Sequence, residues 1–206
     1  FHMMEALKEK SIIQGLETTH VRAIKTQKPV LFSYSFRFDV RDVLPLLTHP
    51  ADKNNIRIYW EQPSRGVAYA GLGTVLQYKQ KHIHETHAMK KQILDSMKMG
   101  VSFGDNALIG PRMIGGFAFN QYVGSDSTWK HFPRVQFYLP ECLATLTDDG
   151  AWLTISHMIH PDDTVENSVV DFKRTISYYA NRLPVTLPPI SQVSVDKYRD
   201  VPERDA

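Results

Sequence analysis

The sequence predicts an α+β domain, a mainly antiparallel sheet flanked by helices, and three segments carry that expectation. Residues 30–38 alternate aromatic and polar side chains with period two, the pattern of a strand with one face in a core. Residues 142–146 and 151–159 are β-rich runs on either side of Thr147-Asp148-Asp149-Gly150, which reads as a hairpin. Val165, Val169, Phe172, Ile176, Tyr179 and Leu183 recur at helical steps behind Pro161-Asp162-Asp163, where a proline and two acids suit a helix start.

Taken in order, residues 4–16 place Leu7, Ile12, Ile13 and Leu16 among charges, which predicts a short helix closed at Gly15. β-Branched content then rises over residues 18–26, and Lys28-Pro29 breaks the chain before the first strand. There Phe32, Tyr34, Phe36 and Phe38 are expected to face the core. Residues 39–47 suit a helical turn or two, residues 49–55 are a turn cluster, and residues 56–60 form a short strand. Residues 62–66 have turn chemistry, so residues 67–78, with Gly71 and Gly73 inside, read as the hairpin partner of that strand. Residues 79–99 contain neither glycine nor proline and place Ile83, Met89, Ile93, Leu94 and Met97 at roughly helical spacing, predicting a helix that stops at Gly100. Residues 112–120 and 134–139 read as strands. The last helix covers about residues 162–182, and residues 184–206, with prolines at 184, 188, 189 and 202, read as a connector.

Phe1-His2 ahead of two methionines suggests that residues 1–3 are a cloning or tag remnant, leaving one folded unit over residues 4–183. At 206 residues a chain buries roughly 70% of its extended surface, enough for a core without disulfides or metal. A balance of 24 basic against 22 acidic residues leaves no basic stripe, so no nucleic-acid partner is expected. No apolar stretch approaches the ~20 residues that span a bilayer, so no membrane partner is expected. A single cysteine, Cys142, fits a reducing cytoplasmic setting and is expected to be a small buried thiol.

Each chemistry-bearing pattern has a plainer reading beside it. His82, His84 and His87 bunch on a predicted helix, but H-E-x-x-H spacing is missed by one residue, which favours a solvated helix start over a metal site. His157 and His160 lie at a strand end and a helix start, where hydrogen-bonded structural roles are expected. Gly110 to Phe117 resembles a phosphate loop only until Phe117-Ala118-Phe119, which reads as strand; Gly115-Gly116 and Gly71-Leu72-Gly73 then mark bends or close backbone approach. Asp148-Asp149 and Asp162-Asp163 fall in a turn and a helix cap. No G-x-S-x-G occurs. On these grounds no catalytic, cofactor-binding or metal residue is assigned in the chain.

Three stretches in order nevertheless carry a resemblance: Ile58-Tyr59-Trp60-Glu61-Gln62-Pro63, Val67-Ala68-Tyr69-Ala70-Gly71-Leu72-Gly73 and Gly115-Gly116-Phe117-Ala118-Phe119, followed by Trp129, Phe132-Pro133 and Phe137-Tyr138-Leu139-Pro140. Together, over about residues 18–183, they resemble the N-terminal half of isochorismate synthases, in the chorismate-utilising superfamily with anthranilate and aminodeoxychorismate synthases. The tryptophan-regulated and aminodeoxychorismate branches carry a Leu-Leu-Glu-Ser-like stretch and an Arg-Tyr-Ser before the glycine pair. This chain has Ile58-Tyr59-Trp60-Glu61 and Ala68-Tyr69-Ala70-Gly71 instead, which favours the isochorismate branch.

The resemblance implies a full-length enzyme that converts chorismate to isochorismate with Mg²⁺, for menaquinone, a catechol siderophore or salicylate. It would use a lysine general base, a glutamic acid and metal-holding carboxylates. In the family these come from the C-terminal half, after a Lys-Val-Val-Leu-Ala-Arg-like strand that residues 1–206 lack; Pro202-Glu203-Arg204 matches a catalytic-half motif only by coincidence. The expectation is therefore an N-terminal fragment, inactive alone and without its own Mg²⁺. Its partner is the catalytic half, and a homodimer through the face left exposed is expected too. The alternatives are a free-standing binding or regulatory module of the same fold, the N-terminal part of another chorismate-utilising enzyme, and a metal-dependent enzyme built on the histidine cluster.

Overall fold

A computed structural model describes residues 2–38, 40–48, 56–80, 101–102, 108–118 and 133–181, with the side chains of the first helix described from residue 9 onward. The chain runs α1 (His2–Thr26), β1 (Val30–Phe38), the single turn α2 (Pro45–Thr48), β2 (Arg57–Gln62), a 3-10 turn (Pro63–Arg65), β3 (Val67–Leu72), β4 (Leu76–Gln80), β5 (Val101–Ser102), β6 (Ile114–Phe117), β7 (Val135–Leu139), β8 (Cys142–Thr147), β9 (Gly150–Ile159) and α3 (Val165–Ala180). Six strands form one sheet in the order β2-β3-β8-β9-β1-β5, and β4-β7-β6 form a second. Every pairing is antiparallel except β1 with β5. The α+β class with a mainly antiparallel sheet is as the sequence predicts.

One long antiparallel pair, β1 with β9, brings Val30 opposite Ile159 and Phe38 opposite Ala151. Its core face carries Phe32, Tyr34, Phe36 and Phe38 against Leu153 and Ile155, the orientation expected from the aromatic alternation. Both long helices cover that same face. Phe172 of α3 is fully buried and meets the Phe32 ring edge-on at 5.0 Å, and Leu16 of α1 joins the same cluster. The opposite face is polar at its centre: Ser33 and Ser156 share a hydroxyl hydrogen bond at 2.7 Å, and Ser35 and Thr154 another at 2.8 Å.

The expected stop at Gly15 does not occur, for α1 continues to Thr26. A Cβ at Gly15 would sit 2.6 Å from Phe32 Cε2, so this residue is where the helix lies closest to the sheet. The glycine therefore serves packing; its backbone stays helical, and Thr18, Thr19 and Thr26 bond back to carbonyls one turn earlier. α3 forms as expected but begins at Val165, later than the start expected near Asp162, because the Thr164 hydroxyl caps it by accepting from the Asn167 N–H. The short strand, the turn after it and the 142–159 hairpin also form where the sequence places them, with Thr147 opposite Gly150.

Residues 67–78 are not one strand. At Gly73 the backbone adopts φ +69°, left-handed and open to glycine, and the chain leaves the first sheet as β3 and resumes in the second as β4. The neighbouring chain turns at the same level: β7 ends at Leu139 and Pro140 precedes β8. Pro140 has no N–H for the ladder and packs its ring onto Gly71, where a Cβ would lie 2.7 Å from Pro140 Cγ. Thus β3–β4 and β7–β8 bend together, β3 staying paired with β8 and β4 with β7. The strand expected over residues 112–120 is described only as Ile114–Phe117. Lys79 and Gln80 belong to β4 rather than to a helix. The rest of that predicted helix, the 49–55 turn cluster and the connector beyond residue 183 lie outside the described residues.

Candidate functional site

The corner at Gly73 closes over a cluster of polar side chains. Glu141 sits in the link between β7 and β8, Tyr179 in the last turn of α3 and His157 near the end of β9. The Tyr179 hydroxyl donates to Glu141 Oε2 at 2.5 Å, and His157 Nε2 lies 3.8 Å from Glu141 Oε1. His157 Nε2 also shares a hydrogen bond with the Thr175 hydroxyl at 3.0 Å, and its ring meets Phe172 edge-on. A Cβ on Gly73 would stand 3.1 Å from the Tyr179 hydroxyl, so the corner backbone packs directly on the cluster.

Burial governs its electrostatics. Tyr179 is almost fully buried, and desolvation together with its bond to Glu141 holds the phenol protonated far above the usual range. Desolvation pushes the His157 imidazole below its ordinary value, against the nearby charges of Glu141 and Asp171, which favour the proton. A neutral imidazole in the folded state loses to a protonated one in the unfolded state once pH falls below about 6.5. Stability is therefore full above that value and declines as pH drops toward the lower folded pKa. A series of urea midpoints should show this slope, and His157→Gln should flatten it; equal slopes in both proteins would remove His157 as its origin.

Beyond His157 lies an open polar cleft of about 310 Å³ between the end of β9 and the start of α3, bordered by His160, Asp163, Thr164, Asn167 and Asp171. Its groups are engaged in holding the turn. Asp163 Oδ2 accepts from the His160 N–H at 2.6 Å, the Asp163 carbonyl bonds His20 of α1, and Asp171 pairs with Arg174 at 2.7 Å.

The structure thus gives the His157 ring the hydrogen-bonded position expected of it, whereas His160 is exposed and is held through its backbone N–H, and Cys142 is a fully buried core thiol. Gly115 is a close-approach glycine inside β6, with a would-be Cβ only 2.0 Å from the Gln136 carbonyl oxygen, which accounts for it without a phosphate. Asp148 and Asp149 lie in the β8–β9 turn, where the Asp149 carbonyl accepts from Arg37 at 2.5 Å, and Asp162 lies in the turn before α3. His82, His84 and His87 lie outside the described residues. The Glu141–Tyr179–His157 contact had no forewarning in the sequence: Tyr179 reads as one more apolar position of α3, and Glu141 as a polar residue beside a proline. Among the described residues this cluster is a polar anchor between sheet and helix, with Tyr179 buried and His157 and Glu141 partly exposed at its edge.

Comparison with known proteins gives the chain its relatives. A family model described as "Chorismate binding enzyme" matches residues 17–203. The isochorismate synthase MenF of Bacillus subtilis is 26% identical over 153 residues, which cover 70% of this chain and 32% of that protein. The solved structure of the menaquinone-specific isochorismate synthase MenF from Escherichia coli aligns with 85% of this chain and 36% of its own, at 14% identity and a TM-score of 0.44. The chain spans about a third of the length of these relatives.

Proposed function

Because the chain belongs to the chorismate-binding enzyme family, we propose that it is the N-terminal region of an isochorismate synthase, whose whole form isomerises chorismate to isochorismate with Mg²⁺. The observation that carries this reading is the family match across residues 17–203, joined to the likeness to an isochorismate synthase over 153 residues. The chain's part in this reading is architectural: a six-stranded sheet backed by α1 and α3, joined at the Gly73 corner to the three-stranded one, forms a scaffold against which the catalytic half packs.

The donor set supports assigning the ion to that other half. Among the described residues no three carboxylate, imidazole or thiol groups converge on a point. Glu141 is bonded by Tyr179, Asp163 caps the turn at His160, and Asp171 pairs with Arg174. These residues do not fit a magnesium site. In the same reading the lysine base and the acid that assists loss of the hydroxyl come from the catalytic half. Among the described residues no helix is long and apolar enough to cross a membrane.

An isochorismate assay with Mg²⁺ tests the division of labour. The chain alone is expected to give no turnover above blank, and co-expression with the remainder of its reading frame is expected to give activity. Turnover by the isolated chain would overturn the placement of the chemistry elsewhere. A reading frame that ends at Ala206 would favour the free-standing module instead.

A further inference from the structure

β2 stands at the edge of the six-stranded sheet, paired with β3 on one side and with no described strand on the other. One hydrogen bond fixes which of its backbone groups point outward. Gly73 N–H donates to the Ile56 carbonyl at 3.0 Å, so Ile56 directs its groups toward the β3 side. In an antiparallel ladder this alternates, so Ile58, Trp60 and Gln62 also face β3, while Arg57, Tyr59 and Glu61 aim their N–H and C=O away from it. The side chains of those same three residues share one face and are exposed. The Tyr59 hydroxyl donates to the Glu61 carboxylate, a bond that pushes the phenol up to about 12. On the other face Trp60 is 45% exposed, and its inner side rests on the Tyr69 ring at 5.7 Å.

We propose that β2 is a self-pairing edge, along which a second copy of this chain docks antiparallel about a two-fold axis through Tyr59. The segment Arg57-Ile58-Tyr59-Trp60-Glu61 is self-complementary in that register. Arg57 falls opposite Glu61 of the second copy and Glu61 opposite its Arg57, so unlike charges meet on both sides of the axis. Tyr59 meets its own equivalent between them. On the other face Ile58 falls opposite Trp60, which covers the exposed indole with an apolar neighbour. The backbone groups brought together are the outward ones of Arg57, Tyr59 and Glu61, so the ladder continues across the axis and joins two six-stranded sheets into one. A two-residue slip would set Arg57 against Tyr59 instead of Glu61. The contact is isologous, as a closed dimer requires. Exposed edges are commonly protected by charge, and here the charges are complementary to a second copy of themselves.

Light scattering of the full 206-residue chain across a concentration series, joined to a charge-swap cycle, tests this. The wild type should dimerise with concentration. Arg57→Glu and Glu61→Arg should each weaken dimerisation by at least about tenfold, because each sets like charges opposite one another. The double variant carrying both exchanges should restore it. Circular dichroism and urea midpoints of all four proteins establish that each is folded; the double variant also serves as the folded comparison if one single variant is damaged. A wild type that stays monomeric up to about 1 mM would overturn the proposal. So would single variants that dimerise as well as the wild type, or a double variant no better than either single one.

Discussion

Replacing Phe172 by alanine should cost about 3–5 kcal/mol of folding stability, among the largest losses expected from a single truncation of the described residues. Phe172 is fully buried where α3 crosses the sheet, with Phe32 at 5.0 Å and the His157 ring at 5.1 Å, both edge-on. Its removal takes away the transfer energy of a phenyl group, two aromatic contacts and the filler of a space that strands on one side and a helix on the other prevent from closing. Phe32 is also pressed against Gly15 of α1, so the ring stack links both helices to the sheet. Urea unfolding is the measurement. A loss below ~1 kcal/mol would mean that the helices collapse into the gap and that the stack is not the centre of the core.

Gly115→Val should cost roughly 1–3 kcal/mol, whereas Gly116→Val one residue later should stay within about 0.5 kcal/mol. Gly115 pairs with Phe137, and a Cβ there would lie 2.0 Å from the Gln136 carbonyl oxygen and 2.6 Å from Phe137 Cα. Those are backbone atoms held in the ladder, so β6 must move away from β7. At Gly116 nothing lies within 4 Å of the added carbon. Thermal melts should separate the two variants, and hydrogen exchange should show the loss confined to the amides of Val135–Leu139. Equal effects from both valines would reject the close approach as the reason for glycine at position 115.

These residues also mark how far the sequence could be read. The periodicity of Val165, Phe172 and Tyr179 revealed α3, and the alternation of Phe32 to Phe38 revealed β1 with its buried face, because side-chain period is a local property. Turn chemistry at Asp148-Asp149-Gly150 likewise announced the β8–β9 hairpin. Gly15 shows where local reading misleads, and at residues 67–78 the bend expected of Gly71-Leu72-Gly73 is present but divides what reads as one strand. Glycine is compatible with a helix stop, a close contact or a left-handed corner, and only the neighbour selects among them: Phe32 across from Gly15, Pro140 and Tyr179 around the 71–73 bend. Of the residues weighed for chemistry, Cys142 is buried as expected and the His157 ring is hydrogen-bonded as expected. The Glu141–Tyr179 bond was invisible, since residues 38 apart meet only after the hairpin and α3 fold back.

By itself the sequence determined the α+β class, the identity of most described elements and, through ordered short stretches, the family to which residues 17–203 belong. Those follow from patterns that a few consecutive residues already contain. The tertiary structure decided the division of residues 67–78 between two sheets, the continuation of α1 through Gly15 and the meeting of Glu141, Tyr179 and His157. It also left β2 at an edge with Arg57 and Glu61 facing out. Each depends on which distant segment supplies the neighbouring atoms, and steric fit and desolvation act on that neighbour, whatever its distance along the chain.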